Sequence, residues 1–369
     1  MATEVRAEPL PARLPPDAAT PGVVQWLRKG FFATPFDAAL TLFVLLILAL
    51  VLPPLVRWAL IDATWVASNR TECGPVGACW GIVGNRIHQY LFGLYPTDQY
   101  WRILLGGVLL LAGMVPLLLP RFPRKALYAI AFMLAYPFVA GFLFSGGSLG
   151  LAQVDTPLWG GLFLTLIIAV VGIVASFPIG IVLALGRRSD MPIVKALCVG
   201  FIELVRGVPL VTVLFMASVM LPLFFPPGWT IDKVMRALIG VSLFSGAYMA
   251  EVIRGGLQAI PRGQYEAAKA MGLGYWQSMG LIILPQALRL VIPGVVNSFI
   301  SLFKDTSLVF IMGLYDLLGI ARLITTGQDW LGRDVESYVF AGLGFWVFCF
   351  AMSRFSQRLE KRLQTGHKH

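Results

Sequence analysis

The sequence predicts an all-α integral membrane protein with about eight transmembrane helices, and three observations predict it. Hydrophobic residues make up 57% of the 369 and charged residues only 13%, where a soluble domain averages about 25% charged. The apolar residues gather into runs of roughly 20, the length that spans a bilayer as a helix. The cations sit mostly in the short polar gaps between those runs, which is where topology determinants lie. A mean hydropathy of +0.78 agrees. In a soluble protein a formal charge of +10 would point to nucleic acid. Here the gaps account for that charge, and no nucleic-acid partner is expected.

Taken in order, the apolar runs cover 38–60, 101–119, 126–145, 158–185, 194–225, 237–253, 287–318 and 338–352. The first holds LTLFVLLILALVL and a Pro53-Pro54 break. The seventh is interrupted by Pro293 and by KDTS (304–307), so it reads either as one span or as a kinked helix with a second partial one. Such breaks are tolerated where they face protein or a cavity. Residues 1–36 begin in Pro and Ala with no apolar core, which reads as a disordered cytoplasmic tail and not a signal peptide. Residues 37–150 supply three spans with an outer loop at about 61–100, and 151–369 supply five spans and the dense polar motifs.

With the N-terminus taken as cytoplasmic, nineteen of the 29 Lys and Arg fall in inside segments and six in outside ones. That bias places both termini in the cytoplasm. It also puts Cys73 and Cys79, in TECGPVGACW, on the outside, where they form either a small disulfide or two unpaired thiols. Cys198 and Cys349 lie in apolar runs as packing residues. His88, His367 and His369 make no ligand set, and no metal is expected.

The inside segment at 259–288 is long and mixed in character. Residues 264–271 are good helix formers behind Pro261, and Gly272 can close the helix in a left-handed conformation. Arg262, Glu266 and Lys269 share one face; Tyr265, Ala268 and Met271 share the other. The expectation is a short amphipathic helix outside the membrane.

Here the sequence resembles the permease subunits of importers driven by ATP-binding cassettes. They carry Glu-Ala-Ala, three residues, Gly, nine residues, then Ile-x-Leu-Pro. Glu266-Ala267-Ala268, Gly272, Ile282, Leu284 and Pro285 keep every spacing. In that family the short helix is the coupling helix, seated in a groove of the ATPase. The resemblance therefore implies that Gly263, Gln264, Glu266, Ala267, Ala268 and Gly272 couple this chain to an ATPase subunit. FIELVRGVPL (201–210), SGAYMAEVIRGGLQAIPRGQ (245–264) and IPGVVNSFISLFKDTSL (292–308) resemble three hallmark blocks of polar amino-acid permeases, the histidine/glutamine permease type. The three extra spans resemble the larger permease of general L-amino-acid importers.

The resemblance implies a five-helix permease core behind a three-helix extension, in a bacterial inner membrane. It implies transport of L-amino acids by alternating access, with two ATPase copies, a companion permease and a periplasmic amino-acid-binding protein as partners. ATP and Mg would be used by the ATPase; this chain would bind no cofactor and catalyse nothing itself. The dipeptide Gly-Lys does not occur, so no Walker A loop is available to cradle phosphates.

Polar groups at membrane depth are costly and so are candidates for function. Asp305, Thr306 and Ser307 offer a carboxylate and two hydroxyls suited to an ammonium group, as part of a substrate path. The competing reading is a pair with Lys304 or a cap for the following helix. Glu203 with Arg206, and Glu251 with Arg254, are spaced i, i+3 and read as structural ion pairs. An ion-coupled secondary transporter would explain the KDTS break but not the Glu-Ala-Ala segment.

Overall fold

The computed structural model describes residues 23–119, 122–148, 150–226, 228 and 231–364. Two compact units are present. The smaller comprises Met1–Thr64 with Gly74–Ala78, and the larger comprises Trp65–Cys73 with Cys79–His369. The division therefore falls near residue 64 and not at 150. The reason is packing: Leu143 and Phe144, in the expected extension, share one core with Trp159, Phe163, Leu214, Val241 and Leu302.

In the smaller unit, helix α1 (Val23–Phe31) precedes α2 (Pro35–Val56). The reading of 1–36 as a disordered tail is corrected over 23–36; residues 1–22 lie outside the described residues. Arg28 and Lys29 occupy the last turn of α1, where cations offset the helix dipole. Thr34 and Asp37 then form a capping box, each side chain accepting from the other's backbone N–H at 3.1 Å. Pro53 and Pro54 stay inside α2, which runs on through a wider turn over Arg57–Ile61.

The larger unit opens with α3 (Gly81–Phe92), a helix inside the stretch expected to be a loop. Ile82 and Tyr90 are buried against Ile320, Ala321 and Trp330. Then come α4 (Tyr100–Leu118), α5 (Lys125–Ser145), α6 (Gly161–Arg187), α7 (Pro192–Gly207) and α8 (Leu210–Val219). The remainder is α9 (Lys233–Ala259), α10 (Arg262–Ala270), α11 (Tyr275–Ser278), α12 (Leu284–Leu290), α13 (Ile292–Asp305), α14 (Leu317–Thr326) and α15 (Asp334–Gln364).

Seven helices among the described residues are long and apolar enough to cross a membrane. Counted as one span, the bent pair α7/α8, with a bend of 106°, brings the number to eight. The run 194–225 is thus not one straight span. Pro209 lacks an N–H and biases Val208 to extended backbone (φ −113°, ψ 138°), so the helix must stop and restart there. The run 287–318 is likewise divided, into α12, α13 and a tight 3-10 stretch, Thr306–Met312.

The centre of the larger unit is the α6–α9 pair. Gly180 and Gly246 let the two backbones approach, because a Cβ on either would collide with Met249 or Ile179. Small residues at the crossing are how helices pack closely where lipid offers no hydrophobic drive.

Candidate coupling helix and cavity

Three features of the larger unit could carry function: an exposed short helix, an ion network and a cavity.

The exposed helix is α10. Pro261 precedes it in extended backbone, and the chain leaves it at Gly272 with φ +71°. The Gly272 N–H donates to the Lys269 carbonyl (2.9 Å) and the Leu273 N–H to that of Ala268 (3.2 Å), closing the orphan carbonyls of the last turn. Ala268 is 1% exposed and Tyr265 half-buried, so these two form the inner face. Gly263, Gln264, Glu266, Ala267 and Lys269 are all exposed. Met271 does not join the inner face as its spacing suggested; it is 79% exposed, because it lies past the last helical residue.

The helix is tied down at its back. The Tyr265 hydroxyl donates to the Leu257 carbonyl at 2.9 Å, in the open last turn of α9. Arg188, just past α6, donates to the same carbonyl (3.1 Å) and to the Tyr265 hydroxyl (2.9 Å), with its guanidinium 5.4 Å from the ring centroid. At the other flank Gln286 of α12 donates to the Gln264 side chain at 3.1 Å. Arg188 and Gln286 were not singled out in the sequence, and no spacing rule connects them to α10.

The ion network centres on Glu251. Arg187 of α6 donates to Glu251 and to Glu203 at 2.8 Å each. Arg254 donates to Glu251 through two nitrogens, at 3.0 and 2.7 Å. The Glu251–Arg254 pair therefore forms, whereas Glu203 and Arg206 do not pair with each other. Glu203 turns to Arg187, and Arg206 lies 3.6 Å from Glu251. Helix spacing allowed the i, i+3 contact, but the neighbouring helices α6 and α9 supplied closer partners.

The cavity, of ≈ 720 Å³, lies among α6, the α7/α8 elbow, α9 and α13. That is within the roughly 300–1,000 Å³ range of small-molecule sites. Asn297, Ser301 and Asp305 line it from α13 as a stripe at i, i+4, i+8; of the three only Asp305 was singled out in the sequence. Arg206, Ser245 and Tyr248 line it as well, with Arg206 5.5 Å from the Tyr248 ring centroid. Thr306 and Ser307 do not. Their hydroxyls donate back to the Phe303 and Lys304 carbonyls, at 2.7 and 2.9 Å. The expected carboxylate–hydroxyl cluster is therefore absent, since Ser and Thr in a helix often satisfy themselves on the preceding turn.

Away from these features Cys73 and Cys79 are joined in a disulfide, with Cα atoms 5.6 Å apart. The Cys79 N–H donates to the Glu336 carboxylate at 2.8 Å. Close by, Tyr90 and Ser337 share a 2.5 Å hydrogen bond, and Ser337 donates on to the Ala321 carbonyl. Burial pushes the Tyr90 phenol up to about 12. Among the described residues no group of three or more His, Cys, Asp or Glu could hold a metal ion.

Comparison with known proteins adds a framework. The model of a family described as "Binding-protein-dependent transport system inner membrane component" matches residues 176–365. The "Inner membrane amino-acid ABC transporter permease protein YhdY" of Escherichia coli (strain K12) is 53% identical over 341 residues, 92% of this chain and 93% of that protein. The "Glutamate/glutamine/aspartate/asparagine transport system permease protein BztC" of Rhodobacter capsulatus is 41% identical over 99% of both chains. The "Probable glutamine ABC transporter permease protein GlnP" of Bacillus subtilis (strain 168) is 35% identical over 206 residues, 56% of this chain but 93% of that shorter one.

Proposed function

Because this chain belongs to the family of inner-membrane components of binding-protein-dependent transport systems, we propose that it translocates L-amino acids as one permease subunit of an ATP-driven importer. Membership makes it a non-enzymatic membrane subunit that works with an ATPase and a substrate-binding protein. The amino-acid reading follows the printed functions of the long relatives, which match nearly the whole chain. In this reading two ATPase copies use the ATP and Mg, a companion permease completes the path, and a periplasmic protein delivers the substrate. Both termini lie in the cytoplasm, as the excess of cations in the inside segments supports.

The observation that carries the proposal is α10, a capped helix with an unobstructed polar face and a back fastened to α6, α9 and α12. Closure of the ATPases presses on Gly263, Gln264, Glu266 and Ala267. Tyr265 and Arg188 pass that displacement to the ends of α9 and α6, and both of those helices contribute to the cavity wall. Asp305 then stands on the substrate path. The ion-coupled alternative accounts for the break where α13 ends at Asp305, but not for the Glu-Ala-Ala segment.

The test is reconstitution with the ATPase, the companion permease and the binding protein. ATP-dependent amino-acid uptake is expected, and it is expected to be lost in Glu266→Trp and in Gly272→Val. Uptake driven by an ion gradient with no ATPase present would refute the reading.

A further inference from the structure

We propose that α1 lies flat in the headgroup layer of the membrane and binds anionic phospholipid through Arg28 and Lys29. This goes beyond the transport reading and does not depend on which solute is carried.

Helical spacing divides α1 into two sides. Val24, Leu27 and Phe31, at i, i+3 and i+7, share one side, with Trp26 at its edge. Gln25, Arg28 and Lys29, at i, i+3 and i+4, share the other. The rings of Trp26 and Phe31 meet edge-on, with centroids 5.7 Å apart. Among the described residues nothing covers the apolar side: Trp26 is 57% exposed and Phe31 42%. Leaving that surface in water would be costly. Nine residues make a helix about 14 Å long, under half of the ~30 Å hydrocarbon core of a bilayer. Helix α1 is therefore too short to cross. A helix with one apolar and one basic side settles in the plane of the interface instead.

The following helix identifies what covers the apolar side. Helix α2 starts at Pro35 and has no buried residue, so lipid surrounds it. The Phe31 carbonyl, at the open end of α1, accepts from the Thr41 hydroxyl of α2 at 2.8 Å. That bond holds α1 at the mouth of a lipid-facing span, at the level of the headgroups. Charge then selects among lipids. Arg28 and Lys29 are exposed, and among the described residues no carboxylate pairs with either. Asp37, the first acid that follows them, is taken up with Thr34 in the α2 cap. The two cations also offset the dipole of α1, but that role needs no apolar opposite side. Phosphodiester oxygens of anionic lipid supply the missing acceptors.

The experiment follows backbone hydrogen exchange across α1 in the full chain, held in nanodiscs of phosphatidylcholine alone or of an equal mixture with phosphatidylglycerol. Each cation near an anionic surface is worth about fivefold, so exchange should be about 25-fold slower in the mixture. Inorganic phosphate added to the phosphatidylcholine discs should not reproduce that slowing. Arg28→Gln with Lys29→Gln should bring the ratio between the two discs near unity. Trp26→Ser with Phe31→Ser should remove protection in both. Arg354→Gln with Arg358→Gln takes two cations from α15 and should keep the full ratio. The proposal is overturned if the wild type exchanges alike in both discs, or if inorganic phosphate substitutes for the lipid. It is equally overturned if the Arg28/Lys29 variant keeps the ratio, if the Trp26/Phe31 variant stays protected, or if the α15 variant loses the ratio as fully. Protection that arises only on adding the ATPase or a companion permease, whatever the lipid, would make α1 a protein-docking helix and overturn it too.

Discussion

Arg188 and Tyr265 converge on one acceptor, the carbonyl oxygen of Leu257, at 3.1 and 2.9 Å. That oxygen lies in the last turn of α9, where no intrahelical N–H is available and the helix dipole favours a cation. The three residues belong to the end of α6, the end of α9 and the inner face of α10. The exposed helix is therefore jointed to the two central helices through polar groups and not only through packing.

Removing the phenol hydroxyl should loosen that joint. Tyr265→Phe keeps the ring under Arg188 but loses two hydrogen bonds. At about 1 kcal/mol for each bond, losing both shifts a two-state equilibrium about thirtyfold. The amino acid imported per ATP hydrolysed is expected to fall by about that factor, measured in proteoliposomes with both quantities followed together. An unaltered ratio would exclude Tyr265 from force transfer.

Glu251 and Glu203 should differ sharply in what their removal costs. The Glu251 side chain is 15% exposed and faces three arginines; that of Glu203 is 56% exposed and faces one. Breaking a largely buried hub leaves cations uncompensated, at about 3 kcal/mol or more. An exposed pair contributes about 0–1 kcal/mol. Thermal unfolding in detergent should show a clear drop in midpoint for Glu251→Gln and almost none for Glu203→Gln.

Asp316, between the spans, gives the protein a predictable response to pH. It is fully buried and caps α14, accepting from the Gly319 N–H at 2.9 Å and the Leu318 N–H at 3.3 Å. Burial pushes its carboxyl from the ordinary 3.8 up to about 6, against the opposing pull of those N–H bonds. A raised acid binds its proton more readily when folded, so its contribution to stability is greatest below the ordinary value. That contribution is lost as pH rises through the window from 3.8 to about 6. Asp316→Asn keeps a capping oxygen and removes the charge. Its unfolding free energy should exceed that of the wild type at pH 7.5, by roughly 2–3 kcal/mol, and should vary less between pH 4 and 7. Asp316→Ala removes the charge and the cap together, so it should be about 1 kcal/mol less stable than Asp316→Asn.

The Cys73–Cys79 bond closes a short loop, so the chain-entropy model assigns it about 2 kcal/mol. Cys73→Ser and reductant should each lower the unfolding midpoint by a similar amount, and reductant should add nothing to the variant. An additive effect would mean that reduction acts elsewhere.

Much of this was legible because lipid sets strict lengths. Apolar runs located the long helices, and Pro261, the helix formers and Gly272 located α10 without any tertiary information. The failures share a cause. Glu203 and Arg206 are neighbours along one helix, but α6 brought Arg187 nearer to Glu203 than its own i+3 residue. Thr306 and Ser307 turned to their own backbone, a choice made within a single turn and invisible to composition. The α7/α8 elbow was written in Val208-Pro209 but masked by continuous hydrophobicity. Helix α3 was hidden for the opposite reason, because its polar residues look like loop until Ile82 and Tyr90 find a surface made more than 200 residues later.

That surface also limits how the chain can be trimmed. Relatives of the shorter kind match just over half of it, which invites a version begun at residue 150. Such a version would strip Ile82 and Tyr90 from Ile320, Ala321 and Trp330, leave Ser337 without the Tyr90 hydroxyl, and leave Glu336 without the Cys79 N–H. An oily patch and two polar groups would be wetted at the head of α15. The minimal permease is thus not obtained by deletion; it needs new residues at 320, 321, 330, 336 and 337.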